Sequence, residues 1–514
     1  MPDGAGAGGR STSFWVATAP ETDFPSLADD LRVDIAVIGG GIAGLTAAAL
    51  LKQAGRSVAV VEALRVGRQA TGRSTAKVTS QHGLIYSRLV RSHGNDAART
   101  YGEANQAAIA RVGEFVRELG IACDFTRKDA YVFTRSADRV RALEDEADCA
   151  RGLGLPAEPV REVPLPFSVE AALRFTGQAQ FHPCRYVAGL ARFVDGGGSH
   201  VLENTRAHNI VPGAVSRVAA GHGTVSARHV IVATHLPVTS RGMFFAKAYP
   251  KSEPALAAPV ERSAALDGMF LSADSPDLSV ISTTDGERVY LIAAGGHYKP
   301  GHSDEQRELG ATLERQLRER FGVRDIAWRW TNHDYWPMDQ VPFVGPASPG
   351  NDRLFVATGF HAWGMSNGTA AGMMLADAIL GRPNSWATLF DATRTNAMVS
   401  APGFISGNVD VAGHLVGGYL ARRPGSPRDL RPDKAGVFRT EDGHVAAYRD
   451  ETGVLHEVSA VCTHMKCVVG WNPTDRSWDC PCHGSRFSAD GEVLSGPALQ
   501  PLARIGRQAQ RVAR

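Results

Sequence analysis

The stretch VDIAVIGGGIAGLTAAALLKQAGRSVAVVE, residues 33–62, decides the fold of the first part of the chain. Residues 33–38 form a short, β-branched and almost wholly apolar run, which is typical of a buried parallel strand. A glycine turn follows, and then a helix rich in alanine and leucine that ends at Gly55. Residues 57–62 are the next strand. The order strand, turn, helix, strand within about thirty residues predicts a βαβ unit.

Three glycines of that turn, Gly39, Gly41 and Gly44, form the pattern GxGxxG. Gly39 permits the tight turn, Gly41 lets the backbone approach a pyrophosphate, and Gly44 lets the helix pack close to the strand. The phosphates then lie at the N-terminus of the helix, where free N–H groups and the helix dipole favour negative charge. Glu62 ends the second strand and is placed to accept hydrogen bonds from ribose hydroxyls. The pattern predicts a bound dinucleotide, either NAD or FAD.

Two further segments favour FAD. The first, TGRSTAKVTSQHG (71–83), is rich in glycine, serine and threonine and follows soon after the second strand. The second, GFHAWGMSNG (359–368), is a glycine-rich turn that leads into a helix predicted over about 367–380. Such a helix N-terminus can face the pyrimidine end of a flavin and stabilise negative charge on the reduced ring.

The composition indicates a globular protein of two or three domains, with 514 residues, 43% hydrophobic and 21% charged. A net charge of +2 gives no support for nucleic-acid binding. Residues 1–30 contain neither an apolar segment of signal-peptide length nor a twin arginine. Glycines interrupt the uncharged stretch 35–51, which therefore fits a βαβ unit better than a membrane span. We expect a cytoplasmic protein with no transmembrane segment, and peripheral association with a membrane stays open.

Six side chains that can bind metal cluster near the C-terminus: Cys462, His464, Cys467, Cys480, Cys482 and His483. Without an export signal, such a cluster indicates metal binding before a disulfide framework. Part of it reads C-x-H-x15-C-x-x-H, so each half offers one cysteine and one histidine. That is the ligand set of a [2Fe–2S] centre with one cysteine-bound and one histidine-bound iron. A structural zinc site is the alternative, although zinc fingers pair cysteine with cysteine and histidine with histidine.

Residues 13–420 resemble the D-amino-acid-oxidase-type FAD-dependent oxidoreductases, which include glycine-, sarcosine- and glycerol-3-phosphate-oxidising enzymes. The resemblance rests on DIAVIGGGIAGL with its following glutamate, RSTAKVTSQHGLIY, HVIVATH (229–235) and LFVATGFHAWGMSNGTAAG. It implies FAD contacts from these residues: Gly39, Gly41, Gly44, Glu62, Ser74, Thr75, Lys77, Gly359, Gly364 and Met365. Some relatives bind flavin covalently through a cysteine in the C-terminal part of the flavin domain. No cysteine occurs between Cys184 and Cys462, so we expect non-covalent FAD.

The segment CTHMKCVVGWNPTDRSWDCPCHGSRFSADGEVLSGPA, within residues 430–505, resembles the Rieske domains of respiratory quinol-oxidising complexes. Ser485 matches the family serine that hydrogen-bonds a bridging sulfide. The family tyrosine two residues later is Phe487 here. The resemblance implies one [2Fe–2S] cluster and a disulfide pair, with these residues: ligands Cys462, His464, Cys480 and His483, disulfide Cys467 and Cys482.

The expected fold class is an α/β Rossmann-like FAD-binding domain with an interleaved α+β substrate domain, followed by a small all-β Rieske domain. The segment ARRPGSPRDLRPDKAG is rich in proline, arginine and glycine, as a linker is. Residues after it show short strands and turns. The predicted division is an N-terminal extension (1–30), the oxidoreductase (31–420), a linker (421–436) and the Rieske domain (437–514). Because every predicted FAD contact precedes the linker, residues 1–420 are expected to bind FAD alone.

The predicted function is a FAD-dependent dehydrogenase or oxidase. It takes hydride from a C–H bond next to an amine or alcohol and passes electrons through the cluster to an unknown acceptor. No second GxGxxG follows a strand beyond residue 100, which argues against a reductase driven by pyridine nucleotides. A Rieske oxygenase needs a large iron-binding domain after the cluster, yet only about thirty residues follow His483. The alternative is a reductase component that feeds a separate oxygenase or redox partner.

The substrate is expected to be a small amine, amino acid or hydroxy acid. The resemblance places five aromatic or imidazole side chains near the flavin: His82, His333, Tyr335, Trp336 and His361. His361 is the preferred catalytic candidate because it lies in the glycine-rich turn before the last helix. His82 is the second candidate. A packing role is the alternative for each of them.

Metal analysis tests the cluster prediction directly. The purified protein is expected to contain one FAD, two iron ions and acid-labile sulfide per chain. Iron and zinc are measured by mass spectrometry, and sulfide is measured after acidification. One zinc ion per chain with no acid-labile sulfide would exclude the Rieske cluster.

Overall fold

The computed structural model describes residues 11–239, 241–395, 425–441 and 443–505. None of the helices within these ranges combines the length and the apolar character needed to cross a membrane. The helices are α1 (Phe14–Thr18), α2 (Ile42–Gln53), α3 (Ala70–Arg73), α4 (Tyr86–His93), α5 (Asn95–Glu118), α6 (Ala137–Gly152), α7 (Pro183–Val194), α8 (Phe244–Lys247), α9 (Ser303–Phe321), α10 (Gly364–Leu380) and α11 (Ala387–Phe390).

The strands of the flavoprotein part are β1 (Leu31–Ile38), β2 (Val58–Val61), β3 (Lys77–Val78), β4 (Thr126–Thr134), β5 (Ala157–Val160), β6 (Ala171–Gln180), β7 (His200–Leu202), β8 (Ala207–Val211), β9 (Ser216–Ala220), β10 (Gly223–Val232), β11 (Ala248–Val260), β12 (Met269–Ser272), β13 (Ser279–Asp285), β14 (Arg288–Ala294), β15 (Trp328–Pro337), β16 (Phe343–Pro346) and β17 (Leu354–Thr358). The C-terminal strands are β18 (Lys434–Thr440), β19 (Gly443–Arg449), β20 (Leu455–Ser459), β21 (Gly470–Asn472), β22 (Ser477–Asp479), β23 (Arg486–Ser488) and β24 (Val493–Ser495).

The first sheet has eight strands and contains the predicted βαβ unit. Its order is β16-β17-β10-β1-β2-β7, with β9 and β8 added beside β10. The strands from β7 to β17 along this order are parallel, and α2 connects β1 to β2. Ile38 lies in register with Val61 and Val232, so these strands end at the same edge of the sheet. That edge is where ligands bind in open α/β sheets.

The second sheet has nine strands, in the order β15-β11-β14-β13-β12-β4-β6-β3, with β5 paired to β6. Its strands come from two stretches of the chain that alternate with strands of the first sheet. Most of its pairs are antiparallel, and only β4 and β12 pair in parallel. This arrangement confirms the prediction of an α/β domain interleaved with an α+β domain.

The C-terminal part is all-β, as the sequence predicts. Strands β18 to β20 form one antiparallel sheet, and strands β21 to β24 form another. A 3₁₀ turn at Pro427–Asp429 and the start of β18 at Lys434 lie within the segment that the sequence assigns to a linker. Residue 420, the first residues of that linker and the last residues of the chain lie outside the described residues.

Helix α1 belongs to the segment predicted as an N-terminal extension, yet it packs into the main hydrophobic core. Phe14 and Trp15 are both buried. The Phe14 ring lies 5.0 Å from the Tyr290 ring and 5.3 Å from the Trp328 ring, so it joins α1 to the second sheet. The Trp15 indole N–H donates to the Ser74 carbonyl at 2.8 Å. Helix α1 therefore braces the segment that follows α3.

Phe14→Ala is expected to lower the free energy of unfolding by about 3–5 kcal/mol, because the lost ring leaves a cavity between three aromatic side chains. Urea unfolding followed by tryptophan fluorescence measures the change. Phe14→Leu fills part of the cavity, so its loss is expected to be smaller. Equal stability of the alanine variant and the natural protein would show that α1 does not contribute to the core.

Candidate functional site

A deep cleft opens at the edge of the first sheet where β1, β2 and β10 end. It contains about 1400 Å³ of empty space with its open mouth included. The cleft is bordered by the glycine turn after β1 and by the end of β2, which is where a dinucleotide binds in an open α/β sheet. Of the residues predicted to contact FAD, these line the cleft: Gly39, Gly41, Glu62, Ser74, Gly364 and Met365.

The glycine turn has the close packing that the sequence pattern requires. Gly39 has a φ of 110°, and a Cβ there would lie 2.4 Å from the Ala233 carbonyl oxygen. A Cβ at Gly44 would lie 2.1 Å from the Gly39 carbonyl oxygen, so Gly44 acts in packing and does not line the cleft. Ile42 and Ala43, the first residues of α2 after the turn, do line it. The positive end of the α2 dipole therefore faces the cleft, which suits a diphosphate.

Glu62 lines the cleft and is half-buried. Its carboxylate accepts the Gly40 N–H at 2.8 Å and the Leu64 N–H at 2.9 Å. Burial raises the pKa of Glu62, and these two backbone N–H groups oppose that rise. The backbone holds the carboxylate in one orientation at the end of β2, which is the position from which it would bind a ribose.

Besides Gly44, three further residues predicted to contact FAD do not line the cleft, and their assignment stays a prediction. The Lys77 ammonium donates to the Phe270 carbonyl at 3.0 Å and also contacts Ser279, so it is directed into the second sheet. Burial lowers the pKa of Lys77 to about 7. Gly359 packs against Pro337, since a Cβ at this glycine would lie 2.6 Å from the proline ring. Thr75 is likewise absent from the residues that border the cleft.

Several charged residues that line the cleft were missed by the sequence analysis. Arg65, Arg73 and Arg206 border it from the flavoprotein part. Asp334 holds two of its loops together, since it accepts the Ala362 N–H at 2.6 Å and lies 3.0 Å from His235 Nε2. The only sequence signal was the position of Arg73, which directly precedes Ser74 in the motif.

The two predicted catalytic histidines have different surroundings. Both ring nitrogens of His82 are used inside the protein, by the Tyr101 hydroxyl at 2.7 Å and the Thr79 carbonyl at 2.7 Å. The His361 ring meets the Trp336 ring edge to face at 4.0 Å. Its Nδ1 is buried and has no hydrogen-bond partner among the described residues. His361 thus keeps an unpartnered nitrogen but does not line the cleft, whereas both nitrogens of His82 are engaged. The catalytic assignment of either histidine stays a prediction.

A second site lies in the two loops that precede β21 and β23. The Cys462 sulfur receives a hydrogen bond from the Cys480 thiol and from the backbone N–H groups of His464 and Met465. The Ser485 hydroxyl also donates to it. These donors lower the pKa of Cys462 to about 7, the first of them most strongly. A sulfur surrounded by donors is stabilised as a thiolate, which is the form that binds metal.

The second loop repeats this arrangement around Cys480. The backbone N–H groups of Cys482 and His483 donate to the Cys480 sulfur. Cys482 is also joined to Cys467 by a disulfide with an S–S distance of 2.04 Å and a Cα–Cα distance of 6.5 Å. The disulfide ties the two loops together, in the pairing that the resemblance implies.

His464 and His483 complete the predicted ligand set. Their ring centroids lie 5.1 Å apart. In each ring Nδ1 is buried and makes no hydrogen bond to any residue that the structure describes. Burial lowers the pKa of both rings, that of His483 to about 4, so both are neutral. Two neutral imidazoles with an unused nitrogen fit the histidine-bound iron of a Rieske cluster.

One other group of possible metal ligands is found among the described residues: Cys467, Cys480 and Cys482, with sulfur atoms within 4.8 Å of one another. The disulfide uses two of these three sulfurs, so they do not form a metal site. Cys462 and Cys480 are free cysteines, so the C-x-H and C-x-x-H loops keep their four predicted ligands, whose assignment stays a prediction. This donor set favours the cluster over zinc.

Comparison with known families identifies the class of protein. Residues 34–378 match the family described as FAD dependent oxidoreductase, DAO, and residues 424–506 match the Rieske [2Fe-2S] domain. The chain belongs to the DAO family of FAD-dependent oxidoreductases and has a C-terminal Rieske domain. These two matches imply FAD and a [2Fe–2S] cluster as its cofactors.

A relative from Bacillus subtilis, the Rieske 2Fe-2S iron-sulfur protein YhfW, is 34% identical over 495 residues, which cover 96% of this chain and 97% of that protein. The gamma-glutamylputrescine oxidoreductase of Escherichia coli is 26% identical over 231 residues, 44% of this chain and 54% of that enzyme. The cytochrome b6-f complex iron-sulfur subunit 2 of Synechocystis is 43% identical over 60 residues, 12% of this chain and 33% of that subunit.

Solved structures share the fold of the flavoprotein part. Glycine oxidase from Geobacillus kaustophilus superposes with a TM-score of 0.60 at 18% identity and covers 71% of this chain and 99% of its own. The L-amino acid deaminase from Proteus myxofaciens superposes with a TM-score of 0.58 at 16% identity and covers 73% of this chain and 96% of its own. At these identities the likeness shows the fold alone.

Ser485→Ala is expected to lower the reduction potential of the cluster while iron content stays unchanged. Hydrogen bonds to the sulfurs stabilise the reduced, more negative cluster. Such a bond contributes roughly 1.5–3 kcal/mol, and only its difference between oxidation states, about 1–2 kcal/mol, shifts the potential. A tenfold change in a one-electron equilibrium constant corresponds to about 59 mV, so the expected shift in potential is roughly 40–90 mV. Redox titration followed by EPR measures it.

A substitution at Phe487 is expected to shift the reduction potential in the opposite direction. Phe487 is buried beside the cysteines in the core of the C-terminal domain. Phe487→Tyr adds the hydroxyl present in the Rieske family and is expected to raise the potential by several tens of millivolts. An unchanged or lower potential with an intact cluster would show that this ring does not approach a ligand sulfur.

Proposed function

We propose that this protein is a FAD-dependent dehydrogenase that oxidises a C–H bond next to an amine or alcohol. It then passes the electrons through its Rieske cluster to an acceptor. The observation that carries the proposal is the contact between strand β15 and the loop of the cluster ligand His483. That strand borders the FAD cleft on one side and this loop on the other.

The contact between β15 and the His483 loop is direct. The Tyr335 hydroxyl donates to the His483 carbonyl at 3.0 Å. Gly484 lies so close to His333 that a Cβ on the glycine would be 2.5 Å from His333 Nε2. His333 and Asp334 line the FAD cleft. A cluster ligand and the wall of the flavin cleft are thus separated by one layer of side chains, which supports electron transfer between them.

The cluster ligands differ in their exposure to solvent. His483 is buried, and its carbonyl accepts the Tyr335 hydroxyl of the strand that borders the cleft. Phe245 of the flavoprotein part lies 5.4 Å from the His483 ring and 5.5 Å from the His464 ring. His464 is half-buried, and the next residue, Met465, is exposed by 46%. The His464 loop is therefore the part of the predicted ligand set that an external acceptor would approach.

When bound, FAD accepts two electrons from the substrate and the cluster transfers electrons singly. Burial lowers the pKa of His361 to about 3, so its imidazole stays neutral at physiological pH. A neutral ring with an unused Nδ1 can hydrogen-bond an amine or hydroxyl and orient its C–H bond. The hydrogen bonds of Asp334 to both cleft loops keep that ring in place beside Trp336.

The name of one relative favours an amine over an alcohol as the substrate. The Escherichia coli relative is a gamma-glutamylputrescine oxidoreductase, and it is similar to 44% of this chain.

Anaerobic mixing with amines, N-methyl amino acids and hydroxy acids tests the proposal. One of them is expected to bleach the flavin absorbance, and the EPR signal of the reduced cluster is expected to follow. If NADH or NADPH reduces the flavin rapidly and no amine or alcohol does, the protein is instead the reductase component of a separate oxygenase or redox partner.

Tyr335→Phe is expected to slow cluster reduction about fivefold while flavin reduction by substrate keeps its rate. The factor follows if the lost hydrogen bond, worth about 1 kcal/mol, raises the activation barrier for cluster reduction by the same amount. Stopped-flow absorbance and freeze-quench EPR separate the two rates. Tyr186→Phe is the matched control, because the buried Tyr186 hydroxyl makes no hydrogen bond within the described residues. Equal rates of cluster reduction in both variants would show that Tyr335 takes no part in electron transfer to the cluster.

A further inference from the structure

The FAD cleft has a wall that does not belong to the flavoprotein part. Five residues after the predicted linker line it: Arg486, Leu494, Ser495, Gly496 and Leu499. We propose that the C-terminal domain is part of the FAD-binding site. It covers the mouth of the cleft and contributes the guanidinium of Arg486 to the bound cofactor. This inference does not depend on the substrate or on the direction of electron flow.

Strand β24 and the residues after it are held against the flavoprotein part by polar contacts. Arg206 Nη2 donates to the Val493 carbonyl at 2.8 Å, and the Tyr335 hydroxyl lies 3.4 Å from the Gly496 carbonyl oxygen. A Cβ at Gly496 would lie 3.3 Å from the Val238 side chain. Arg206 and Val238 themselves line the cleft. The covering segment, residues 493–499, is therefore docked on the rim of the cleft.

Arg486 lies in a buried network of charges that joins the two parts. Its Nε donates to Asp479 at 3.1 Å, and its Nη2 donates to Asp475 at 2.5 Å. Asp475 also contacts Arg73, which lines the cleft from the other side. Arg486 Nη2 also donates to the Ser477 hydroxyl at 3.0 Å. These partners fix the guanidinium in one orientation, and Arg486 lines the cleft, so it is placed to contact a ligand there.

The lining of the cleft contains four arginines and two carboxylates: Arg65, Arg73, Arg206 and Arg486, Glu62 and Asp334. Asp475 pairs with Arg73 and Arg486, and Asp479 also pairs with Arg486, so these carboxylates hold the two guanidinium groups in place. Guanidinium groups bind phosphate oxygens in pairs, so the arginines of the lining suit a diphosphate. One of the four, Arg486, comes from the C-terminal domain.

Residues 1–420 were expected to bind FAD alone because every predicted FAD contact precedes the linker. With the C-terminal domain docked, four residues of segment 493–499 form part of the cleft wall, so this segment adds contacts to a bound FAD. Substitutions in the C-terminal domain are therefore expected to change FAD affinity and the rate of FAD release, even though this domain contains no dinucleotide-binding motif.

The first test uses the full chain with Arg486→Met. FAD is removed and titrated back, and its release is followed by the fluorescence of free FAD. The dissociation constant is expected to rise about tenfold or more, because a charge-assisted contact is lost. Arg486→Lys retains the charge, so its effect is expected to be smaller. The EPR signal of the cluster shows whether the C-terminal domain remains folded.

A second variant avoids the buried charges. Leu494→Ala combined with Leu499→Ala removes two half-buried side chains at the mouth and is expected to speed FAD release about tenfold. Val454→Ala is the matched control, since Val454 is 54% exposed on the same domain and does not line the cleft. The proposal stands if the double variant releases FAD faster with its cluster intact. Unchanged affinity and release in that variant, with an intact cluster, overturn it whatever Arg486→Met does.

Discussion

Parallel pairing of β1 with β2 and β10 places the functional groups of the flavoprotein part. Ile38, Val61 and Val232 are in register, so the residues that follow them meet at one edge of the sheet. Two of these, Gly39 and Ala233, are in such close contact that a side chain on the glycine would meet the alanine carbonyl at 2.4 Å. The cleft, the orientation of Glu62 and the position of the α2 N-terminus all depend on this packing.

Strand β15 extends that constraint to the iron–sulfur site. Asp334 joins two loops of the cleft, while its neighbour Tyr335 binds the carbonyl of His483. Arg73 and Asp475 form a buried ion pair across the same boundary. Buried charges are strongly destabilising when one partner is removed. The two parts are therefore held in one arrangement, and the distance between the flavin cleft and the cluster loops is a property of the fold.

Residues in continuous motifs have the packing or bonding that their motifs imply, whereas the directions of other predicted side chains depend on sheet pairing. Gly39, Gly44 and the Cys467–Cys482 pair have the packing or bonding that the sequence implied. Lys77 belongs to the expected motif and lies in β3. Because β3 pairs with β6, the Lys77 ammonium is directed into the second sheet. His82 was a catalytic candidate, yet the folded chain surrounds both of its ring nitrogens with hydrogen-bond partners.

The sequence by itself determined the two cofactors, because each motif is a short run whose glycines, cysteines and histidines act through local backbone geometry. Only the tertiary structure decided which residues face each other across the cleft. Arg73 and Asp475 are about 400 residues apart in the chain, and Arg206 meets Val493 across 287 residues. A lone arginine or aspartate carries no local pattern, since charged residues are common on any surface. Its role arises from the burial and the partner that folding supplies.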